Sequence, residues 1–379
     1  MKYPLFKVHI PTTDAISAIQ NVFNGGFINE GEQVTELTQK LSEKLGSNKL
    51  LLVNSCTSAL TLALKLAGVR AGDEVITTPM TCVATNTPII SLGAKIVWAD
   101  VDPIDGMIDG NDVRKKITEK TKAVIAVAWG GSPPNLIMLQ DICKMRGVKL
   151  ILDAAHAFGA KFSGRNIVEF SDFACFSFQA IKHFTTGDGG ALVCSNENDF
   201  KRAKALKWFG LDRDEAKDAK GNWKGQQWDV DIKEAGFKYN MNNVAAAIGL
   251  SQLPYIDGLV QKHRDNASLY KELFADFAYL RDADQAQGSS FWVYTVNLKS
   301  NSAISRDELL SKLNEEGIGA GLVHVPNDNY TCFKDFKTHL PGVAEFSAHQ
   351  FSLPCGWWLN EEDIRFIANR VKEILSEKV

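Results

Sequence analysis

Ala174-Cys-Phe-Ser-Phe-Gln-Ala-Ile-Lys-His-Phe-Thr-Thr-Gly-Asp-Gly-Gly190, running into the apolar Ala191-Leu-Val-Cys194, is the stretch that decides how this chain folds. Phe173 to Phe178 reads as a buried strand and Ala191 to Ser195 as another, since both are short apolar runs bounded by polar turns. The glycines of Thr185-Thr-Gly-Asp-Gly-Gly190 permit positive φ, so the connection closes tightly. Lys182 is thereby held on a loop between core strands. An amine in that setting is costly to desolvate unless it is paired or covalently occupied as an imine, and this is how a buried lysine becomes a nucleophile. A surface lysine at a hairpin tip fits the stretch as well, so the reading turns on two further segments.

The second segment is Asn54-Ser-Cys-Thr-Ser-Ala-Leu60, which follows the apolar strand Lys49 to Val53 and opens a helix apolar nearly all round through Ala67. Small hydroxyl residues at a helix start leave free N–H groups at the positive end of the dipole, which suits a phosphate; plain N-capping by Asn54 or Ser55 is the simpler alternative. The third is Leu152-Asp-Ala-Ala-His-Ala-Phe-Gly-Ala160, where an acid directly follows a buried strand. A carboxylate there needs a positive partner, unless Asp153 merely caps the next helix.

Working outward, Thr12 or Thr13 is expected to cap a short helix through Phe23, and Gln33 to Leu45 has helical periodicity. Strands are predicted at 74–78, 95–101, 123–129 and 148–152, with helices at 81–92, 113–117 and 135–146 between them. With the two strands beside Lys182 and the one at 49–53, the alternation predicts a mostly parallel seven-stranded sheet covered on both faces. Ligands of such sheets sit at the C-terminal ends of the strands, and Asn54, Asp153 and the Lys182 loop all fall there. Beyond it, helices are expected at 199–209, 244–252 and 255–277, with a polar insertion at 210–227. The last third predicts a strand at 290–298, a helix from Ser305 with Glu308 completing a capping box, a Gly-rich turn at 317–321 and a final helix capped by Asn360. The division expected is a large domain over 1–250, including an N-terminal arm, and a smaller α+β domain over 251–379.

Composition narrows the function. The 379 residues are 45% hydrophobic and 23% charged, with a formal net charge of −3, a balance that gives no electrostatic footprint for nucleic acid or an anionic membrane. Neither a signal-peptide run nor a span of membrane length is evident, so a cytoplasmic location is expected. The seven cysteines are scattered and form no Cys-x-x-Cys pair, the histidines form no metal-spaced cluster, and no metal is expected. The dinucleotide G-x-G-x-x-G is missing after the first strand, and the phosphoryl-transfer loop G-x-x-x-x-G-K-[ST] is missing throughout.

A phosphate-suited helix start, an acid at a strand end and a lysine on a tight loop, in that order, are what pyridoxal 5′-phosphate (PLP) requires. The run from Phe176 to Gly190, with Asp153-Ala-Ala-His156 and Asn54 to Leu60 before it and Gly236-Phe-Lys-Tyr-Asn-Met241 and Phe351-Ser-Leu-Pro354 after it, resembles the DegT-type (DegT/DnrJ/StrS) nucleotide-sugar aminotransferases over nearly the whole chain. The resemblance implies the aspartate-aminotransferase fold of type I PLP enzymes and a homodimer with shared active sites. It also implies transfer of an amino group from L-glutamate to C-3 or C-4 of a UDP- or dTDP-linked keto-sugar, making amino sugars for bacterial surface polysaccharide. A keto-inositol aminotransferase and a PLP-binding regulator without catalysis are the alternatives.

Carried over by position, the resemblance makes Lys182 the Schiff-base lysine and proton shuttle, Asp153 the partner of the pyridine nitrogen and His156 a neighbour of the ring hydroxyl. Ser177, Thr57 and the backbone of Cys56 would hold the phosphate, joined by Lys238 from the adjacent subunit. Met80 stands where an aromatic ring normally stacks on the pyridine, Gln179 replaces a common His, and Asn240 a common Arg. Trp129, His183, Trp228 and His324 are candidates for the sugar site.

Overall fold

The computed structural model describes residues 1–212, 225, 230–283 and 286–377. The chain opens with α1 (Thr12–Gly25) and α2 (Glu32–Leu45), then enters an alternation of strand and helix: β1 (Leu50–Val53), α3 (Cys56–Leu66), β2 (Glu74–Thr77), α4 (Val83–Ser91), β3 (Lys95–Trp98), α5 (Gly110–Lys116), β4 (Thr121–Val127), α6 (Leu136–Arg146) and β5 (Lys149–Asp153). A two-stranded hairpin of β6 (Lys161–Phe162) and β7 (Arg165–Asn166) precedes β8 (Phe173–Ser177), β9 (Gly190–Cys194) and α7 (Glu197–Leu206).

Among the described residues these strands build a seven-stranded sheet in the order β1-β9-β8-β5-β4-β2-β3. The pairs β2–β3, β2–β4, β4–β5 and β5–β8 are parallel, whereas β9 runs antiparallel to both β1 and β8. That reversal follows from the tight Lys182 loop, because a short connection can join only antiparallel neighbours while parallel ones need a crossover. The strands are buried almost throughout, as expected of a sheet covered on both faces.

After α8 (Asn243–Gln252) and the long α9 (Ile256–Phe274) comes a second sheet, β10 (Leu280–Asp282), β11 (Tyr294–Leu298) and β12 (Gln350–Leu353), antiparallel throughout and packed with α10 (Arg306–Glu315) and α12 (Glu361–Ser376). Between α10 and β12 lies α11 (Pro341–His349), begun by its proline. The first residues of the chain join this part. Tyr3 is buried in the same core as α12, and the N–H groups of Lys2 and Tyr3 both donate to Gly317 O.

Some local expectations give way to competing bonds. Pro11, not Thr12 or Thr13, occupies the position before α1; Thr12 is already helical and its hydroxyl donates back to Ile10 O. Ser305 caps α10 by accepting from Glu308 N–H, but the Glu308 carboxylate lies 3.9 Å from Lys312 Nζ, one turn on, so the reciprocal half of the box is not made. At Asn360 both halves are present, with Asp363 as the return acceptor. The strand expected from 290 begins at Tyr294, because Ser290 is held to Gly131 and Trp292 to Ile181 instead of to a neighbouring strand. The polar insertion at 210–227 falls mostly outside the described residues.

Candidate active site

Asp153 is the last residue of β5, β1 delivers the chain to the start of α3, and the loop after β8 carries Lys182, so all three segments meet at the C-terminal ends of strands. The Lys182 loop is stiffened from inside. Lys182 N–H donates to Gln179 O, Ile181 N–H to Gln179 Oε1, and Thr185 Oγ1 and Thr186 N–H both to Phe178 O.

Among the described residues the Lys182 amine has neither a hydrogen bond nor an ion pair. Its Nζ instead lies 3.5 Å from the ring centroid of Trp292. Part of the side chain's surface stays accessible, but burial pushes the amine's pKa down from 10.5 to about 8, opposed by the nearby Cys82, Asp153 and Cys56. The sequence pattern does not single out Trp292. Its only sign there is an aromatic pair, Phe291-Trp292, at the mouth of a strand.

Asp153 is 4% exposed. Its Oδ2 accepts from Thr85 Oγ1 at 2.7 Å and its Oδ1 from Ala155 N–H at 3.0 Å, and no cation among the described residues comes within ion-pair reach. Burial raises its pKa, while the Thr85 and Ala155 hydrogen bonds and the Lys182 charge pull it back. Thr85 is likewise unmarked in the sequence. Its spacing from Thr81 puts the two hydroxyls one turn apart, and Thr81 Oγ1 sits 2.8 Å from Thr85 Oγ1, but only the fold brings them to Asp153.

At the start of α3, Ser55 is the N-cap: its Oγ accepts from Ser58 N–H, and Ser58 Oγ donates to Asn54 Oδ1. These hydroxyls are spent on capping, whereas the N–H groups of Cys56 and Thr57 remain first-turn donors. The end of β9 passes close by. A Cβ at Gly190 would lie 2.7 Å from Cys56 N, from Phe176 O and from the Ser55 carbonyl carbon, all of them backbone. Ser177 Oγ is at hand on β8 and accepts only a long 3.4 Å bond from Gln179 N–H.

On the other side of Lys182 three rings form a stack, with a fourth set edge-on against it. His156 lies on Trp292 at 4.0 Å and 23° and on His324 at 5.3 Å and 17°, with Trp129 edge-on to both histidines. The two Nε2 atoms of His156 and His324 are 3.4 Å apart, so one carries the proton and the other accepts it. Burial lowers the pKa of both, that of His324 to about 3, with the Lys182 charge adding to it. Among the described residues His156 Nδ1 and Trp129 Nε1 are buried without a partner.

Other expected site residues are placed differently. His183 is turned away from the site: its Nε2 pairs with Ser290 O at 3.0 Å and its ring packs on His263 at 4.6 Å, because the loop must close over the junction with residues 289–292. Met80 is wholly enclosed in the large hydrophobic core, with its N–H donating to Thr78 Oγ1, whereas the half-buried Cys82, two residues on, is the neighbour that most offsets the effect of burial on the Lys182 amine. Gln179 is exposed, its side chain tied back to the loop. Lys238 lies behind the α3 start of its own chain, its Nζ 2.5 Å from Asn240 Oδ1 and over the face of Trp208, while its carbonyl accepts from Asn54 Nδ2. Trp228 lies outside the described residues.

The arrangement fits PLP. Among the described residues it offers an amine without an ionic partner, a buried carboxylate without a cation, orphan donors at a helix start, and buried ring nitrogens with nothing to bond. Each of these would be a cost if the crevice held nothing.

The profile of the DegT/DnrJ/EryC1/StrS aminotransferase family matches residues 10–372. Among solved structures, the sugar aminotransferase CalS13 from Micromonospora echinospora superposes with a TM-score of 0.90 at 30% identity, over 98% of this chain and 100% of that one. The Streptococcus pneumoniae protein Spr1654, described in its pyridoxamine phosphate (PMP) form, gives 0.89 at 27% identity over 98% of each chain. The UDP-4-amino-4,6-dideoxy-N-acetyl-β-L-altrosamine transaminase of Campylobacter jejuni is 28% identical over 96% of this chain and 95% of its own.

Proposed function

Because the chain belongs to the DegT/DnrJ/EryC1/StrS aminotransferase family, we propose that it uses PLP to move an amino group from L-glutamate to a keto-sugar carried on a nucleoside diphosphate, at C-3 or C-4. PLP, when bound, supplies an electron sink that makes a substrate C–H bond acidic. The observation that carries this reading is the Lys182 amine: largely enclosed, without an ionic partner among the described residues and with its pKa lowered to about 8, it is suited to gain and lose a proton near neutral pH.

Lys182 holds the cofactor in the resting enzyme and, once freed, moves a proton to and from the substrate carbon. Asp153, oriented by Thr85, keeps the ring nitrogen protonated. The N–H groups of Cys56 and Thr57, with Ser177, hold the phosphate. His156 borders the ring, and Trp129 and His324 line the sugar side, offering an indole N–H and an imidazole that stays neutral. Lys238, whose amine here bonds Asn240, is the residue that the family resemblance assigns to the phosphate of a second copy of the chain. Ile16, Phe23, Phe27 and Ile28 of the N-terminal arm are half or more exposed, which supports a homodimer covering them. The names of the relatives support amino-sugar synthesis. No helix among the described residues is long and apolar enough to cross a membrane, and the free cysteines accord with the cytoplasm.

The test is to load the protein with PLP and screen UDP- and dTDP-linked 3- and 4-keto sugars with glutamate, following 2-oxoglutarate. Formation of 2-oxoglutarate with one keto-sugar, and not with keto-inositols, is the outcome expected. A loaded protein that converts none of them would refute the reading.

A further inference from the structure

Asn86 and Asn327 are far apart in sequence, and their amides meet in the interior, 0% and 1% exposed. Every amide group of the pair is used. Asn86 Nδ2 donates to Asn327 Oδ1 at 2.8 Å and to Thr78 O at 3.1 Å, and Asn86 Oδ1 accepts from Thr77 Oγ1 at 3.1 Å. Asn327 Nδ2 donates to Thr81 O at 2.8 Å, and its backbone N–H donates to Pro79 O at 2.8 Å.

Counting protons gives this lock a direction. Thr85 has one hydroxyl proton and gives it to the Asp153 carboxylate, so in the 2.8 Å contact between Thr81 Oγ1 and Thr85 Oγ1 the donor is Thr81. Donation therefore runs from Asn327 to the carbonyl of Thr81, and from the hydroxyl of Thr81 through Thr85 to Asp153. At its other end Asn327 follows His324-Val325-Pro326, a segment whose proline leaves little backbone freedom. The loop that sets His324 against His156 and the turn that aims a hydroxyl at Asp153 thus share one anchor.

We propose that Asn327 is a positioning residue for the proposed cofactor acid: through Thr81 and Thr85 it fixes the pitch of Asp153, and through its own loop it fixes His324 over His156. Both effects are indirect, and Asn327 touches no substrate. The proposal rests on Asp153 facing the ring nitrogen of PLP, and it explains why two amides are buried in a region that hydrophobic side chains could fill. With the hydroxyl chain slack, Asp153 accepts a poorer hydrogen bond and holds the proton on the ring nitrogen less well. A ring nitrogen without its proton draws fewer electrons from the lysine-linked nitrogen, which becomes more basic.

The experiment uses the PLP-loaded enzyme and reads the pH midpoint of its visible absorbance change, together with cofactor affinity, for wild type, Asn327→Leu, Thr81→Val and the double variant. Each single variant is expected to raise the midpoint by about half a unit or more and to weaken PLP binding about tenfold, the scale of one charged hydrogen bond. The double variant should match the larger single effect, because both substitutions break the same chain. Effects that add in the double variant would remove the shared chain. A merely structural Asn327 would lower the unfolding midpoint and leave the absorbance midpoint where it was, which overturns the proposal. Should Asn327→Leu fail to fold, Asn327→Ser and Thr81→Val carry the same test, and an unshifted midpoint in Thr81→Val alone overturns it. A wild type that develops no visible absorbance with PLP refutes the cofactor reading instead.

Discussion

The Nζ of Lys182 lies over the indole of Trp292, 3.5 Å from its centroid, and the same indole donates its Nε1–H to Ile181 O at 2.9 Å. Trp292 thus holds the lysine loop by its backbone and the amine by its ring, while its other contacts are Phe6 at 4.6 Å and His156 at 4.0 Å. A desolvated cation–π contact is worth about 2 kcal/mol, so this ring replaces part of what a missing carboxylate would give.

Replacing that ring tests its double role. Trp292→Leu is expected to cost about 2–4 kcal/mol of stability through cavity formation and to slow turnover by at least about tenfold, with kcat falling more than KM rises, since the amine loses its orientation and the substrate its rim only. Denaturant titration and steady-state kinetics check the two parts separately. A variant that is destabilised yet fully active would confine Trp292 to packing.

Gly190 is the position where β9 grazes the start of α3. A Cβ there meets only backbone atoms at 2.7 Å, which cannot swing aside. Gly190→Ala is therefore expected to cost about 1–3 kcal/mol, the usual range for overpacking, and to weaken PLP binding by displacing the N–H groups of Cys56 and Thr57. Fluorescence titration with inorganic phosphate and with PLP separates the two effects: both affinities should fall, and unchanged affinity for either would mean that α3 does not shift.

The sheet was legible because each of its strands is an apolar run flanked by glycine, proline or small polar residues, and Lys182, Asp153 and the α3 start could be ordered from their strand ends alone. The partners of those residues were not. Trp292, Thr85, Cys82 and Asn327 reach the site from segments distant in sequence, and nothing in their local patterns marks them. His183 shows the opposite failure: adjacency to Lys182 along the chain places it on the far side of the loop. The short β10 and β12 were missed because their pairing partners, rather than their own periodicity, define them, and α11 because its nine residues bury only Gly342, Val343 and Phe346, too few to show a helical period.

The buried histidines predict an acid-labile fold. Burial lowers the pKa of His156 and His183, that of His263 to about 4 and that of His324 to about 3. The unfolded chain takes up these protons near its ordinary pKa of about 6.5, so between that pH and about 4 it binds more protons than the folded state, and stability falls as pH falls. Each such histidine is worth up to about 2 kcal/mol by about pH 5. Denaturant midpoints at pH 7.5 and 5 should differ accordingly, and His263→Gln, which lies away from the amine, should lessen the slope. An equal slope in wild type and variant would show that His263 does not remain neutral.

Lys182 predicts a dependence of the same sign, in a higher pH window, for the cofactor-free protein. Its folded pKa of about 8 lies below the 10.5 of an ordinary lysine, so between these values the unfolded state binds the extra proton and stability rises with pH. Below about pH 8 the folded chain carries the full cost of a buried, unpaired ammonium, about 1.4 kcal/mol for each pH interval of one that separates the two values. Lys182→Met keeps the stem and deletes the charge. Without cofactor it is expected to unfold at higher denaturant than wild type at pH 7, by about 1–3 kcal/mol, with the gap closing as pH rises past 8. The same substitution should abolish turnover, and borohydride reduction of loaded wild type should leave the pyridoxyl mass on the peptide containing Lys182 and on none in the variant. A variant less stable than wild type at pH 7 would mean that the amine is paired in solution, and a label on any other lysine would move the chemistry to that residue.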